Sequence, residues 1–131
     1  MKRVFVVASG MFALAACGQA EAVTPDSKNP AHCVAAFNYA NYWFKVGERP
    51  NQATAMVARG IFEMNKIKAN GGSVAEAKAE GTALTKAYAD NEKEMDALFI
   101  ACGSAQDADA QFKAQLPTLL AKARKAEAEH R

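Results

Sequence analysis

The chain has 131 residues, of which 16 are lysine or arginine, 14 are aspartate or glutamate and three are cysteine. This length fits one domain with a modest core. Lys2 and Arg3 lie at the extreme N-terminus, so the rest of the chain carries 14 basic and 14 acidic residues. A balanced chain gives no electrostatic reason to expect nucleic-acid binding.

The N-terminal segment is typical of an export signal. A basic pair, Lys2-Arg3, precedes an uncharged and mostly apolar run from Val4 to Ala16. A transmembrane helix needs about 20 apolar residues, so this run is too short to span a bilayer and fits a signal peptide. We therefore predict a signal peptide over residues 1–16.

The end of this run, Leu14-Ala15-Ala16-Cys17, resembles the lipobox of bacterial lipoprotein precursors at all four positions. The resemblance implies cleavage before Cys17, lipid on the sulfur and the new amino group of that residue, and attachment to a membrane. Gly18 in place of aspartate implies, by analogy with enteric bacteria, the periplasmic face of the outer membrane. The resemblance identifies no specific family for the rest of the chain.

A second cleavage site keeps another location open. Ala20-Glu21-Ala22 has the small-residue spacing of an ordinary signal-peptidase site, and cleavage before Val23 would release a soluble periplasmic protein. Residues 17–29 contain turn-forming residues and no apolar periodicity. This predicts a flexible tether ahead of a helical domain over residues 30–131.

Asn29-Pro30 predicts the start of the first helix, because Asn caps free backbone N–H groups and Pro suits the first helical position. Apolar residues then recur at steps of three and four and predict one buried face: Cys33, Ala36, Phe37, Ala40, Trp43 and Phe44. The segment from Gly47 to Pro50 ends the helix.

Polar and aromatic side chains outside this face form a candidate binding surface. Tyr42 lies nearly opposite the apolar face and Tyr39 lies on its flank. Tyrosine is enriched at interfaces, so Asn38, Tyr39, Asn41 and Tyr42 are a candidate surface for a partner or ligand. The alternative is that several of the aromatic residues belong to the core and cover the end of a neighbouring helix.

A second helix is predicted from about Asn51 to Ala69, with Gly60 on its apolar face, where it permits a close approach by another helix. A third helix begins at Ser73, because Ser73 and Glu76 have the spacing of a capping box. Its heptad seam predicts one helix of about 29 residues ending at Gly103. The seam consists of Ala77, Gly81, Leu84, Tyr88, Asn91, Met95, Leu98 and Cys102.

Ser104 or Asp107 is expected to cap a fourth helix, which Pro117 should kink or split. Its apolar side carries Phe112, Leu116, Leu119, Ala123 and Ala126. No segment shows the alternation of a β-strand. The sequence therefore predicts an all-α fold, a small bundle of about four helices.

Either cleavage route leaves Cys33 and Cys102 as a pair in an oxidising compartment, which predicts a disulfide. The alternatives are free buried thiols or an intermolecular bridge. In a regular up-down bundle these two residues would lie at opposite ends, yet a disulfide needs Cα atoms within about 7 Å. We therefore expect crossed packing, in which the first helix lies across the end of the third.

Other polar residues give no strong signal of catalysis. Asp90, Glu92, Glu94 and Asp96 are typical of solvated helix flanks, because no turn fixes their oxygens for a cation. His32 is expected to be exposed in the first turn of its helix. A single Glu-x-x-His at Glu127–His130 lacks the second pair that a di-iron bundle needs. We expect no metal site, no cofactor and no enzymatic activity.

Together these patterns predict an exported envelope protein, anchored through Cys17, that acts as a non-catalytic accessory or inhibitory module by binding another protein. The alternative is a small-ligand or metal-binding helical bundle in the periplasm. Its site would lie beside the first helix and the acidic part of the third. The two hypotheses differ in the surface they require: an exposed apolar patch or an enclosed pocket.

Overall fold

The computed structural model describes residues 23–130 and confirms the all-α class. Its helices are α1 (Pro30–Val46), α2 (Pro50–Ala69), α3 (Val74–Ala87), α4 (Glu92–Asp107) and α5 (Ala110–Glu129), one more than the four expected. Between residues 23 and 130 there is no β-strand. The predicted signal peptide over residues 1–16 and the predicted lipidation site Cys17 lie outside the described residues.

Two helices start where the sequence predicts. The side-chain oxygen of Asn29 accepts a hydrogen bond from the Ala31 N–H at 2.9 Å, and Pro30 occupies the first position of α1. The Ser73 hydroxyl accepts a hydrogen bond from the Glu76 N–H at 3.2 Å ahead of α3. These caps satisfy backbone donors that have no partner within the helix.

The single long third helix is wrong, because residues 88–91 interrupt it. Tyr88 is the C-cap of α3, and the Asn91 side chain accepts a hydrogen bond from the Glu94 N–H at 3.3 Å as the N-cap of α4. An Asn followed by Glu three residues later is itself a helix-start signal, and such side-chain bonds compete with helix continuation. Asn91 is exposed and is not a buried polar residue of the seam.

The last two helices also differ from expectation. α4 continues past Gly103 to Asp107, and α5 is capped by Asp109, whose Oδ1 accepts the Gln111 and Phe112 N–H groups at 2.8 and 3.3 Å. Pro117 lies inside α5 without splitting it. Pro117 is exposed, so the carbonyl that its missing N–H would leave unpaired can be hydrated.

α2 contributes to both cores of the bundle. On one side it shares a core with α1, α3 and α4, formed by Cys33, Ala35, Ala36, Phe37, Ala40, Met56, Leu84, Leu98 and Cys102. On the other side it packs against α5 through a second cluster of Ala58, Phe62, Phe112, Leu119 and Ala123. None of the helices within residues 23–130 is both long enough and apolar enough to cross a membrane.

The predicted disulfide is confirmed: Cys33 is bonded to Cys102, with a Cα–Cα distance of 5.6 Å. α1 contacts both α3 and α4, whereas α2 contacts α3 only slightly. The disulfide therefore brings the first turn of α1 to the C-terminal part of α4. A regular up-down bundle would place these two segments at opposite ends.

The close helix approach lies at Gly81 and not at Gly60. A Cβ atom on Gly60 would have no neighbouring atom within 4 Å. A Cβ atom on Gly81 would lie 3.4 Å from both the Ala31 carbonyl oxygen and the Ala35 Cβ of α1. Because Gly81 has no side chain, α1 and α3 can approach each other closely at this position.

Residues 23–29, part of the predicted tether, lie against the domain. The Tyr88 hydroxyl donates to the Val23 carbonyl at 3.1 Å, and the Asp26 N–H donates to Nδ1 of His32 at 3.1 Å. His32 is buried, contrary to the expected exposed side chain, and its Nε2 lies 3.4 Å from Glu80. Because Nδ1 accepts a hydrogen bond, the proton of the neutral ring lies on Nε2, facing the Glu80 carboxylate.

Candidate functional site

An exposed apolar surface covers the C-terminal part of α1. We call Tyr39, Tyr42, Trp43 and Val46 the aromatic face. Tyr42, Trp43 and Val46 are 59%, 45% and 55% exposed. The Trp43 ring packs edge-on against Tyr42 and Tyr39, with centroid distances of 5.2 and 6.4 Å. These contacts restrict the orientation of the indole.

The exposure of Trp43 corrects its predicted place on the buried face. The neighbouring Phe44 takes the position against the core, where its ring lies 6.5 Å from that of Phe99. Trp43 lies one residue earlier and therefore about 100° around the helix, at the edge of the covered surface. The helical period placed both residues on one broad face, but α4 covers only the part that Phe44 occupies.

The four predicted surface residues divide into two groups. Asn38 and Tyr42 are exposed, as a binding surface requires. Asn41 instead donates from Nδ2 to the Ala53 carbonyl at 2.8 Å and so ties α1 to α2. Tyr39 is half-buried, and its hydroxyl donates to Asp96 at 3.0 Å. Asn41 therefore has a structural contact. Asn38, Tyr39 and Tyr42 border a groove between α1 and α3.

That groove, which we call the α1–α3 groove, has a volume of about 600 Å³. Its floor includes Ala35, Ala77 and Gly81, which are buried. Lys78 and Lys86 contribute its basic groups. The full lining is Val34, Ala35, Asn38, Tyr39, Tyr42, Met64, Ala77, Lys78, Gly81, Thr82, Thr85 and Lys86.

A second depression of about 300 Å³ lies between α1 and the start of α4. We call it the acidic cleft. It is lined by Tyr39, Ala40, Trp43, Phe44, Glu92, Asp96 and Phe99. Tyr39 borders both this cleft and the α1–α3 groove. Glu92 and Asp96 belong to the predicted acidic cluster, and their spacing of four residues places them on one side of α4.

The acidic cleft perturbs the Tyr39 hydroxyl. Burial, the hydrogen bond to Asp96 and the negative charges of Asp96 and Glu92 raise the pKa of Tyr39 to about 12, and a hydrogen bond with the Trp43 side chain acts in the opposite direction. A protonated Tyr39 can donate to Asp96, whereas a tyrosinate would face two carboxylates. The hydroxyl is therefore held as a hydrogen-bond donor at neutral pH.

A buried polar network joins α2 to α4. Glu63, a charged residue within α2, is only 3% exposed. Gln106 donates from Nε2 to Glu63 at 2.7 Å and to the Arg59 carbonyl at 3.0 Å, and Lys66 lies 3.1 Å from the other Glu63 oxygen. Arg59 donates to Gln106 and Asp107. Each oxygen of the buried Glu63 carboxylate therefore has a partner, and the network links α2 to α4.

The remaining acidic motif is held by a structural contact. Glu127, in the Glu-x-x-His pair, accepts a hydrogen bond from the Thr54 hydroxyl at 2.6 Å, which joins α5 to α2. Across residues 23–130, no group of three or more His, Cys, Asp or Glu side chains is arranged to hold a metal ion.

The fold and these surfaces define a small disulfide-bonded all-α domain with an exposed aromatic face beside two grooves. Comparisons with models of protein families, with curated proteins and with solved structures find no match to this chain.

Proposed function

We propose that this is an exported envelope protein, anchored through lipid on Cys17, that binds a partner protein through its aromatic face. The main observation is that three of the four exposed large hydrophobic side chains between residues 23 and 130 belong to one five-residue stretch at the end of α1. They are Tyr42, Trp43 and Val46. Apolar side chains that stay in water lose the stabilisation that burial gives, about 25 cal/mol per Å².

The composition of this face fits an interface. Tyr and Trp are enriched at the centres of protein interfaces, and Trp and Tyr are over-represented among residues whose removal weakens binding most. The edge-to-face contacts of Trp43 fix its ring, so little side-chain entropy is lost on association. An exposed aromatic patch whose rings pack against one another supports an accessory or inhibitory role exerted by binding.

The anchor is supported by the lipobox-like sequence Leu14-Ala15-Ala16-Cys17. The test is the intact mass of the protein purified from the membrane fraction. A chain that begins at Cys17 and carries three acyl groups supports the anchor. A soluble chain that begins at Val23 contradicts it and favours the free periplasmic form. Cys17→Ser is the matched control and should lose the acyl mass.

The binding role is tested by site-specific photocrosslinking in intact cells. A photoreactive residue at Tyr42 or Val46 should give a discrete adduct, whereas the same residue at Gln115, which is exposed on α5, should give none. The adduct should disappear in a Trp43→Ala background. Equal labelling from Gln115, or an adduct that is insensitive to Trp43→Ala, would show that the aromatic face is not the binding surface.

The α1–α3 groove supports a second candidate function, the binding of a small amphipathic ligand. Its volume of about 600 Å³ lies within the usual range for small-molecule sites, and Lys78 and Lys86 would favour an anionic group. Native mass spectrometry of the protein taken directly from cells tests this candidate. A bound small molecule that is lost in the double variant Lys78→Ala with Lys86→Ala, both exposed, but retained in Trp43→Ala would favour the groove over the aromatic face.

A further inference from the structure

The acidic cleft combines aromatic rings with carboxylates that have no basic partner. Within residues 23–130, no Lys, Arg or His nitrogen lies within 4.0 Å of a carboxylate oxygen of Glu92 or Asp96, and no basic side chain lines the cleft. One oxygen of Asp96 accepts the Tyr39 hydroxyl at 3.0 Å. The protein leaves the other carboxylate oxygens of this pair available to an incoming donor.

The aromatic rings supply the second half of a cation site. Tyr39, Trp43, Phe44 and Phe99 line the same cleft as the two carboxylates. The face of an aromatic ring attracts a cation within about 6 Å of its centroid, and Trp is the strongest of these rings. Nearby carboxylates add charge-assisted hydrogen bonds, which are stronger than those between neutral groups.

We propose that the acidic cleft binds the guanidinium group of an arginine side chain that a partner protein presents. This inference rests on the proposed binding role of the aromatic face and names the chemistry of its partner. A guanidinium is planar, stacks on aromatic rings and donates two parallel hydrogen bonds to a carboxylate, whereas an ammonium is a compact and strongly hydrated charge. The volume of about 300 Å³ is at the lower limit for small-molecule sites and suits one long side chain.

The position of the cleft agrees with this assignment. Trp43 and Tyr39 belong to both the aromatic face and the cleft. A partner that places an arginine in the cleft would therefore also meet the exposed apolar side chains of the aromatic face, Tyr42 and Val46. A central charged anchor within an apolar surround is a recurrent arrangement at protein interfaces.

Trp43 is the only tryptophan of the chain, so its fluorescence reports directly on the cleft. The full chain, purified as the cell makes it in a neutral detergent, is titrated with an acetylated and amidated Gly-Gly-Arg-Gly-Gly peptide. The same peptide with citrulline, the neutral isostere of arginine, is the matched ligand control. We expect saturable binding of the arginine peptide that weakens with added salt, and binding of the citrulline peptide at least about tenfold weaker.

The carboxylates are tested with a double variant, Glu92→Gln with Asp96→Asn, which removes both charges and keeps the side-chain size. Binding of the arginine peptide should weaken at least about tenfold. Glu94→Gln is the matched control, because Glu94 lies in the same first turn of α4 but does not line the cleft. Its affinity for the peptide should stay within about twofold of that of the unmodified protein, since a lone exposed charge contributes little.

Three results would overturn the proposal. They are equal binding of the citrulline peptide, no change in Trp43 fluorescence with the arginine peptide, and binding of choline as tight as that of the arginine peptide with the same dependence on the carboxylates. Photocrosslinking from Val46, which lies outside the cleft, separates this inference from the proposed function. If the double variant no longer binds the arginine peptide but still gives the Val46 adduct, the aromatic face remains the proposed interface. The partner would then not bind through a guanidinium group in the cleft.

Discussion

The sulfur of Cys33, in the first turn of α1, is bonded to the sulfur of Cys102, near the end of α4, and joins residues 69 positions apart. Both residues are buried in the larger core, beside Phe37 and Leu98. The bridge therefore fixes α1 against α4, the two helices that form the acidic cleft.

Removing this disulfide should cost much of the domain's stability. Cross-linking a loop of this length lowers the entropy of the unfolded chain and stabilises the folded state by about 4 kcal/mol. We expect Cys33→Ala with Cys102→Ala to lower the free energy of unfolding by about that amount, measured by urea denaturation. Equal unfolding midpoints for the oxidised protein and the double variant would show that the bridge adds no net stability.

The break between α3 and α4 should depend on Asn91. Its side chain accepts the Glu94 N–H, and loss of an N-cap typically costs about 1 kcal/mol. We expect Asn91→Ala to destabilise the protein by about 1 kcal/mol in urea denaturation, and Asn91→Asp to retain most of the stability. Asp90→Ala, at the exposed neighbouring position, is the control and should change little. A stabilised Asn91→Ala protein would indicate that the two helices prefer to join.

The heptad pattern predicted burial better than continuity. The buried seam positions lie on both sides of the break and are Ala77, Gly81, Leu84, Met95, Leu98 and Cys102. Periodicity records which residues face the core, and two consecutive helices can each turn that face toward the same core. The break between α3 and α4 also has a short-range sequence signal, because Asn91 and Glu94 have the spacing of a helix N-cap. The heptad pattern runs through Asn91 and favoured one continuous helix instead.

The residues that escaped prediction depend on tertiary packing. Glu63 is polar by sequence and buried because Gln106 of α4 covers it and supplies a hydrogen bond. Trp43 is apolar by sequence and exposed because it lies at the edge of the part of α1 that α4 covers. The acidic cleft likewise arises only where α1 meets α4, so no local pattern contains it. The aromatic cluster on α1 was visible in the sequence, but which of its rings stay exposed was not.

The link between Gln106 and Glu63 should be important for stability. Gln106→Leu removes the donor to a buried carboxylate oxygen and to the Arg59 carbonyl. Leaving buried polar groups without partners costs about 1–3 kcal/mol, so we expect a loss of about 2–3 kcal/mol in urea denaturation. Gln115→Leu makes the same chemical change on the exposed side of α5 and should alter stability by less than about 0.5 kcal/mol. Equal effects of the two substitutions would argue against a network that stabilises the fold.

Gly60 offers a stabilising substitution. It lies within α2, and a Cβ atom there would meet nothing within 4 Å, so alanine should add helix propensity of about 1 kcal/mol without a clash. At Gly72 a Cβ atom would lie 2.9 Å from Ile67 Cγ2 and 3.1 Å from its carbonyl oxygen. Thermal unfolding should therefore shift upward for Gly60→Ala and downward for Gly72→Ala. A lower unfolding temperature for Gly60→Ala would show that another part of the protein packs closely against the backbone at Gly60.

Titration of Tyr39 tests the electrostatics of the acidic cleft. Burial, the hydrogen bond to Asp96 and the charges of Asp96 and Glu92 raise the pKa of Tyr39 from 10.0 to about 12. The folded protein therefore holds this proton more tightly than the unfolded chain. The resulting stabilisation is fully present below pH 10 and is lost as pH rises toward 12.

Ultraviolet absorbance of tyrosinate should show one of the three tyrosines titrating near pH 12. Asp96→Asn should lower the pKa of Tyr39 toward 10 without reaching it, because burial still disfavours the anion. Glu94→Gln, in the same turn of α4 but outside the cleft, should leave the titration unchanged. If Tyr39 titrated at 10 in the unmodified protein, the two carboxylates would not act on this hydroxyl, and the negative potential on which guanidinium binding depends would be absent from the cleft.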